Sequence, residues 1–340
     1  MALLALLNAC KRELALPLTF DITEGQSNWV KIPYDTLAFG NEYEGHSVNN
    51  IFFIDEHTGY LGGFKKNYEG QSFIFKTTNG GETWLPNYYY GCGAGSATKN
   101  VFFLTPAHGI ASVSCLGEVL AETFDGGATW SKRNDFIYFN DAPKQFAVFD
   151  SLNVYVGNYL TSNAGSTWAP LNLPQHTKAY SFTDLSQGVC VTDNGLVAQT
   201  QNGGNTWDTL YYNSVHKYYS VCITAPLCII AGGNHIVKST DGGVNWNITA
   251  SEPDVTDIKF VSKNIGFAAV NIKNDANIKG RILKTTDGGN SWSVNYYSSF
   301  IGFTSLSIIN PHTIIGSGTQ KPDNKLINKA YIIKTNTQGN

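Results

Sequence analysis

The chain has 340 residues and a formal net charge of −3 at neutral pH, so it can bury a sizeable core and carries no global field to attract nucleic acid. Charged residues are 14% of the chain, against roughly 25% in an average soluble protein. Small disulfide- or metal-stapled scaffolds are excluded by size, and a neutral, β-rich surface is the natural expectation.

The chain opens with "MALLALLNAC", a short apolar run followed at once by Lys11-Arg12-Glu13. It resembles the end of a bacterial lipoprotein signal peptide, in which the cysteine becomes the lipidated first residue of the mature protein. That resemblance implies lipidation of Cys10, with residues 1-10 a residual signal and 11-26 a tether. The run is too short to span a bilayer, so membrane association is expected only through the lipid. Past Cys10 stand Cys92, Cys115, Cys190, Cys222 and Cys228, with no CxxC spacing and hence no zinc signature. Cys222 and Cys228 flank Ala225-Pro226 in an apparent tight hairpin, where a disulfide or two free thiols are equally compatible with the sequence.

From residue 27 onward one unit repeats. Apolar strand, turn and apolar strand, as in "IFFIDEHTGYLGG" (51 to 63), lead to a third strand and then to a box: "KTTNGGETW" (76 to 84). The box returns as "ETFDGGATW" (122 to 130), "LTSNAGSTW" (160 to 168), "QTQNGGNTW" (199 to 207), "KSTDGGVNW" (238 to 246) and "KTTDGGNSW" (284 to 292). Its tryptophans, Trp84, Trp130, Trp168, Trp207, Trp246 and Trp292, are 46, 38, 39, 39 and 46 residues apart, the length of one four-stranded propeller blade. At the C-terminus "AYIIKTNTQGN" enters a seventh box that has Thr337 in place of the acid and stops before its tryptophan. "SNWVKI" (27 to 32) reads as the missing half. The expectation is all-β: a single seven-bladed β-propeller over 27-340, its ring closed by the N-terminal strand completing the last blade.

The box invites a catalytic or ion-binding reading, since it sets an acid beside two glycines. Asp125, Asp241 and Asp287, however, are matched by Asn79, Asn163 and Asn202 in the other three boxes. An amide keeps the acceptor oxygen but carries no charge for a cation and cannot act as a general acid or base. The position therefore reads as structural: the side chain accepts backbone N–H groups of its own turn, glycine takes positive φ, and the tryptophan carries its ring between sheets with its N–H near the polar turn.

These boxes resemble the Asp-box, or bacterial neuraminidase repeat (BNR), family of β-propellers, and the finer "KTTDGGxxW" pattern is most similar to the photosystem II stability/assembly-factor group. That resemblance implies a non-catalytic binding scaffold; relatives in non-photosynthetic bacteria share the fold without a photosystem. The same fold includes sialidases, which resemblance would equip with three substrate-clamping arginines. This chain has only Arg12, Arg133 and Arg281, and Arg12 precedes the propeller. A carbohydrate-active glycoside hydrolase remains the alternative, but Asp55, Asp150 and Asp184, which recur after inner strands, stand where Asp is simply a good turn former.

A binding surface is expected on the face opposite the boxes, where the longest loops lie. Two features mark it. Aromatic residues follow the box tryptophans, among them Tyr89, Tyr138, Tyr212, Tyr219 and Tyr297, and could form a rim for an extended peptide or glycan. Lys65, Lys66, Lys273, Lys279, Arg281, Lys321 and Lys325 fall in loops between second and third strands and could form a basic arc. His176 and His216 follow successive box tryptophans and could be neighbours, but ordinary loop histidines are the plainer reading, and neither metal nor cofactor is expected. The expectation is a monomeric, lipid-anchored scaffold of the bacterial cell envelope, in the periplasm or on the outer membrane, that recognises a protein or glycan and no nucleic acid.

Overall fold

The computed structural model describes residues 29–31, 46–65, 71–91, 96–114, 118–133, 146–225, 228–251, 254–274, 277–298, 301–320 and 329–337. Cys10 and the tether, Lys66, Cys92, Cys115, Tyr138, Lys321 and Lys325 lie outside them. Among the described residues every regular element is a strand, and the strands form seven four-stranded antiparallel sheets. The fold is a seven-bladed β-propeller.

Blade 4 shows the pattern. Thr177–Phe182, Gly188–Thr192, Leu196–Thr200 and Asp208–Tyr212 pair in chain order, from inner to outer strand. The second strand is buried along its length, whereas the outer strand is mostly exposed, so apolar density falls outward. In blade 7 the order is completed from the other end of the chain. Val30–Lys31 pairs with Lys329–Thr335, with Val30 opposite Lys334 and Lys31 opposite Ile333. The half-box at each terminus thus makes one blade, as their sequences require.

Two compact units divide the chain, one holding Asp141–Ile272 and Arg281–Tyr297, the other Thr23–Asn140, Lys273–Gly280 and Ser298–Asn340. Within each, the seams between blades are filled by the same device. The last phenylalanine of an inner strand meets the box tryptophan of its own blade edge-on: Phe53 with Trp84, Phe103 with Trp130, Phe182 with Trp207 and Phe260 with Trp292, at 5.8 to 6.0 Å between ring centroids. Trp84 is fully buried and shares a cluster with Ile309, Ile315 and Ile332 of blade 7. Trp292 packs against Cys222 and Ile230 of blade 5 in the same way.

The Cys222–Cys228 pairing does not form. Cys222 is disulfide-bonded, but Cys228 is a free thiol. The register explains why: Cys222 stands opposite Ile230 and Cys228 opposite Ala225, so the two thiols are out of step across the hairpin.

Candidate functional site: the box face and the opposite loop face

The box turns repeat one hydrogen-bond pattern. In blade 6 the Thr285 hydroxyl donates to Asp287 Oδ1 at 2.8 Å and accepts the Gly289 N–H at 2.8 Å. The same carboxylate accepts the N–H groups of Asn290 and Ser291 at 3.0 Å and the Ser291 hydroxyl at 2.6 Å. Gly288 and Gly289 both have positive φ, 72° and 85°, a region that a β-carbon penalises. A β-carbon on Gly288 would also stand 2.9 Å from the Lys263 carbonyl oxygen. The Gly288 N–H donates to the Asn264 carbonyl at 2.7 Å, keying the box to the turn between the first two strands of the same blade. Gly80 to His57, Gly126 to Ala107, Ala164 to Leu152 and Gly203 to Ser186 repeat that bond.

The amide boxes keep the geometry and reverse one bond. Asn79, Asn163 and Asn202 accept the same threonine hydroxyl and the same N–H through Oδ1, while Nδ2 donates to Thr83, Thr167 and Thr206 at 2.8 Å. Thr337, in the acid-free seventh box, retains the bond from its N–H to the Thr335 hydroxyl at 3.3 Å. Ionisation is therefore dispensable at this position. Where the residue is acidic, it is a poor proton donor. Thr129 and Thr123 pull Asp125 down to about 2, and Asn245 and Ser239 do the same for Asp241. At Asp287 partial burial works the other way, yet Ser291, Thr285 and Asn290 still bring it to about 2.

Asp55, Asp150 and Asp184 behave as turn formers. Each accepts two N–H bonds from its own turn at 2.7 to 2.8 Å.

Sequence reasoning missed the residue that opens the box. Lys334 Nζ donates to the Gly80 carbonyl at 2.7 Å and Lys76 Nζ to the Gly126 carbonyl at 2.8 Å, each reaching the box of the next blade. Lys238 Nζ reaches Asn290 Oδ1 at 2.9 Å. Tyr60 Oη adds a bond to the Gly126 carbonyl, and Tyr155 Oη one to the Leu185 carbonyl. The expectation for the indole N–H groups is corrected in part. Trp207 and Trp246 do donate to Gly204 and Gly243 carbonyls at 3.2 and 2.9 Å, and Trp130 donates to Asn87 Oδ1 at 2.9 Å. The indole N–H groups of Trp84, Trp168 and Trp292 are shielded from solvent without a hydrogen-bond partner.

Residues 160–306 match the family model described as photosynthesis system II assembly factor YCF48. A photosystem II assembly lipoprotein Ycf48 from Synechococcus sp. (strain CC9902) is 25% identical over 147 residues, which cover 41% of this chain and 43% of that relative. Among solved structures, YCF48 bound to D1 peptide superposes with a TM-score of 0.65 at 17% identity, covering 93% of this chain and 98% of that one. YCF48 from Cyanidioschyzon merolae gives 0.64 at 14%, covering 90% and 98%.

The chain is a seven-bladed β-propeller with Asp-box turns, and its residues 160–306 are similar to the photosystem II assembly-factor family.

The WD40 repeats of RRP9 also superpose on the Asp-box propeller, with a TM-score of 0.61 at 8% identity over 93% of this chain and 99% of that one, so the fold alone carries no function. On the loop face the aromatic residues divide. Tyr212 and Tyr297 are exposed, at 60% and 47%, and Tyr219 is half-buried. Their neighbours are packing residues: Tyr88 lies against Trp130, Tyr211 against Trp246, and Tyr218 is fully buried. Tyr89 stands opposite Phe73 in the outer strand Leu85–Gly91. Of the cationic residues, Lys65 ends the strand Gly59–Lys65, Lys273 falls in Gly266–Asn274, and Lys279 and the half-buried Arg281 in Asn277–Thr285. Arg133 pairs with Glu122 at 3.1 Å, and Glu122 also meets His108 at 3.3 Å. The two histidines acquire different partners. His176 Nδ1 is 3.6 Å from Asp193, whereas His216 lies beside His235.

A second missed feature is a register shift in the inner strands of six blades, which falls between Val48 and Asn50, Thr98 and Asn100, Thr177 and Ala179, Tyr218 and Ser220, Val255 and Asp257, and Phe303 and Ser305. Asn49, Lys99, Lys178, Tyr219, Thr256 and Thr304 are the skipped residues. Such bulges re-aim a side chain. Asn49 Nδ2 uses the bulge to reach the Thr98 carbonyl of the next blade at 2.9 Å, and the Thr304 hydroxyl reaches the Val48 carbonyl at 3.0 Å.

Proposed function

We propose that the protein is a non-catalytic, protein-binding assembly scaffold of the bacterial cell envelope, tethered by lipid at Cys10, with its partner seated on the loop face. The observation that carries this reading is the commitment of the box face: its acids and amides hold their own turns, and its opening lysines hold neighbouring blades. On the opposite face, aromatics such as Tyr212 and Tyr297 expose ring surface to solvent that another molecule could contact. Support also comes from likeness to an assembly factor solved with a bound peptide and to a relative described as a lipoprotein.

Tyrosine suits this role because a rigid ring with a polar tip gives contact area at low entropic cost. Lys65, Lys273, Lys279 and Arg281, which lie in second and third strands rather than in the loops between them as the sequence suggested, favour an acidic segment on the partner, through attraction that salt weakens. The test is crosslinking and pull-down from the native envelope with the wild type and a Tyr212→Ala, Tyr297→Ala double variant. Capture of a protein by the wild type, reduced in the variant and at high salt, supports the scaffold. Capture indifferent to both changes, or binding confined to a glycan array, contradicts it.

A further inference from the structure

We propose that His216 and His235 form an open two-histidine site for a divalent transition-metal cation on the loop face of blade 5. The rings stand with centroids 5.0 Å apart and planes inclined at 57°, tilted rather than stacked. Two imidazoles on one tetrahedral cation, each with a metal–nitrogen bond of about 2.0–2.1 Å, would have centroids about 5 Å apart. The spacing fits a ligand pair.

The surrounding bonds fix the His216 ring and the backbone next to His235. His216 is only 8% exposed, and its Nδ1 is 2.9 Å from Tyr218 Oη, which fixes the ring and leaves Nε2 for a metal. His235 Nδ1 is shielded from solvent and has no hydrogen-bond partner, an unmet polar atom that a cation would satisfy. The Asn234 side chain joins the two backbone segments, accepting the Lys217 N–H at 2.9 Å and donating to the Val215 carbonyl at 3.2 Å. Among the described residues no third His, Cys, Asp or Glu joins the pair. The remaining positions would be open to water or to a donor from a bound partner. Imidazole donors favour zinc, nickel and copper over magnesium or calcium.

The test is isothermal titration of the metal-stripped full chain with zinc chloride at pH 7.5, and again at pH 5.5. The expected result is one equivalent bound, weakened at least about tenfold by His235→Asn and by His216→Asn, and weakened at pH 5.5 as protons compete. Tyr218→Phe should weaken binding by less than either. Thermal unfolding controls for folding, and His235, in a short turn, supplies the decisive variant should His216→Asn not fold. No saturable binding by the wild type, or full affinity retained by a folded His235→Asn, overturns the site.

Discussion

Two tryptophan-to-phenylalanine replacements should rank in the reverse of their burial. Trp84 is fully buried, so its truncation would ordinarily be the costlier, whereas Trp130 is only half-buried. Each change removes about 40 Å³, worth about 1 kcal/mol as a cavity in a site that cannot collapse. The buried Trp84 indole N–H has no partner, and deleting an unsatisfied donor returns about 1 kcal/mol or more. Trp130 instead donates to Asn87 at 2.9 Å, so its loss adds about 1 kcal/mol to the cavity. The expected costs are near zero for Trp84→Phe and about 2 kcal/mol for Trp130→Phe. At about 2 °C per kcal/mol for a chain of this size, thermal unfolding followed by circular dichroism resolves the two. A Tm drop for Trp84→Phe equal to or larger than that for Trp130→Phe refutes the reasoning.

Lys334→Met, which keeps the aliphatic stem but abandons the Gly80 carbonyl, should lower stability by about 1.5–3 kcal/mol, while the exposed Lys263→Met stays near wild type; similar Tm values for the two would deny the inter-blade bond a role. Asp125, Asp241 and Asp287 sit at about 2 in the folded chain, below their ordinary value of 3.8, so the unfolded chain binds more protons between those values. Their contribution is present above pH 4 and is lost as the pH falls towards 2; a triple Asp→Asn variant should lose less Tm over that interval, and a parallel loss would count against the assignment. Burial pushes the Cys190 thiol up to about 12, whereas Cys228 is half-buried, so iodoacetamide at pH 8 should label Cys228 well before Cys190, as mass spectrometry of the native protein would show; equal labelling contradicts the structure.

What the sequence made legible was whatever repeats locally. The box, its glycines and its Asp/Asn exchange lie within nine residues, and the split last blade was readable because half a box stands at each end. Contacts between blades escaped for the opposite reason. Lys76 and Gly126 are 50 residues apart and Lys334 and Gly80 are 254 apart, and a lysine beside a box looks like any solvated charge. The inner-strand bulges leave only an irregular alternation around Asn49 or Tyr219, which no composition rule flags. The Cys222 hairpin misled because nearness in sequence does not fix cross-strand register. His216 was singled out with the wrong partner, since His235 belongs to a turn that carries no motif. The loop face is the least legible part, because loops vary while the scaffold repeats.

The central claim, a scaffold whose partner sits opposite the boxes, is tested most directly by crosslinking mass spectrometry of the protein in its native host. The account predicts crosslinks to one protein partner from loop-face lysines such as Lys65, Lys178 and Lys217. Crosslinks gathered instead around Lys263 on the box face, or glycan hydrolysis by the purified chain, would contradict it.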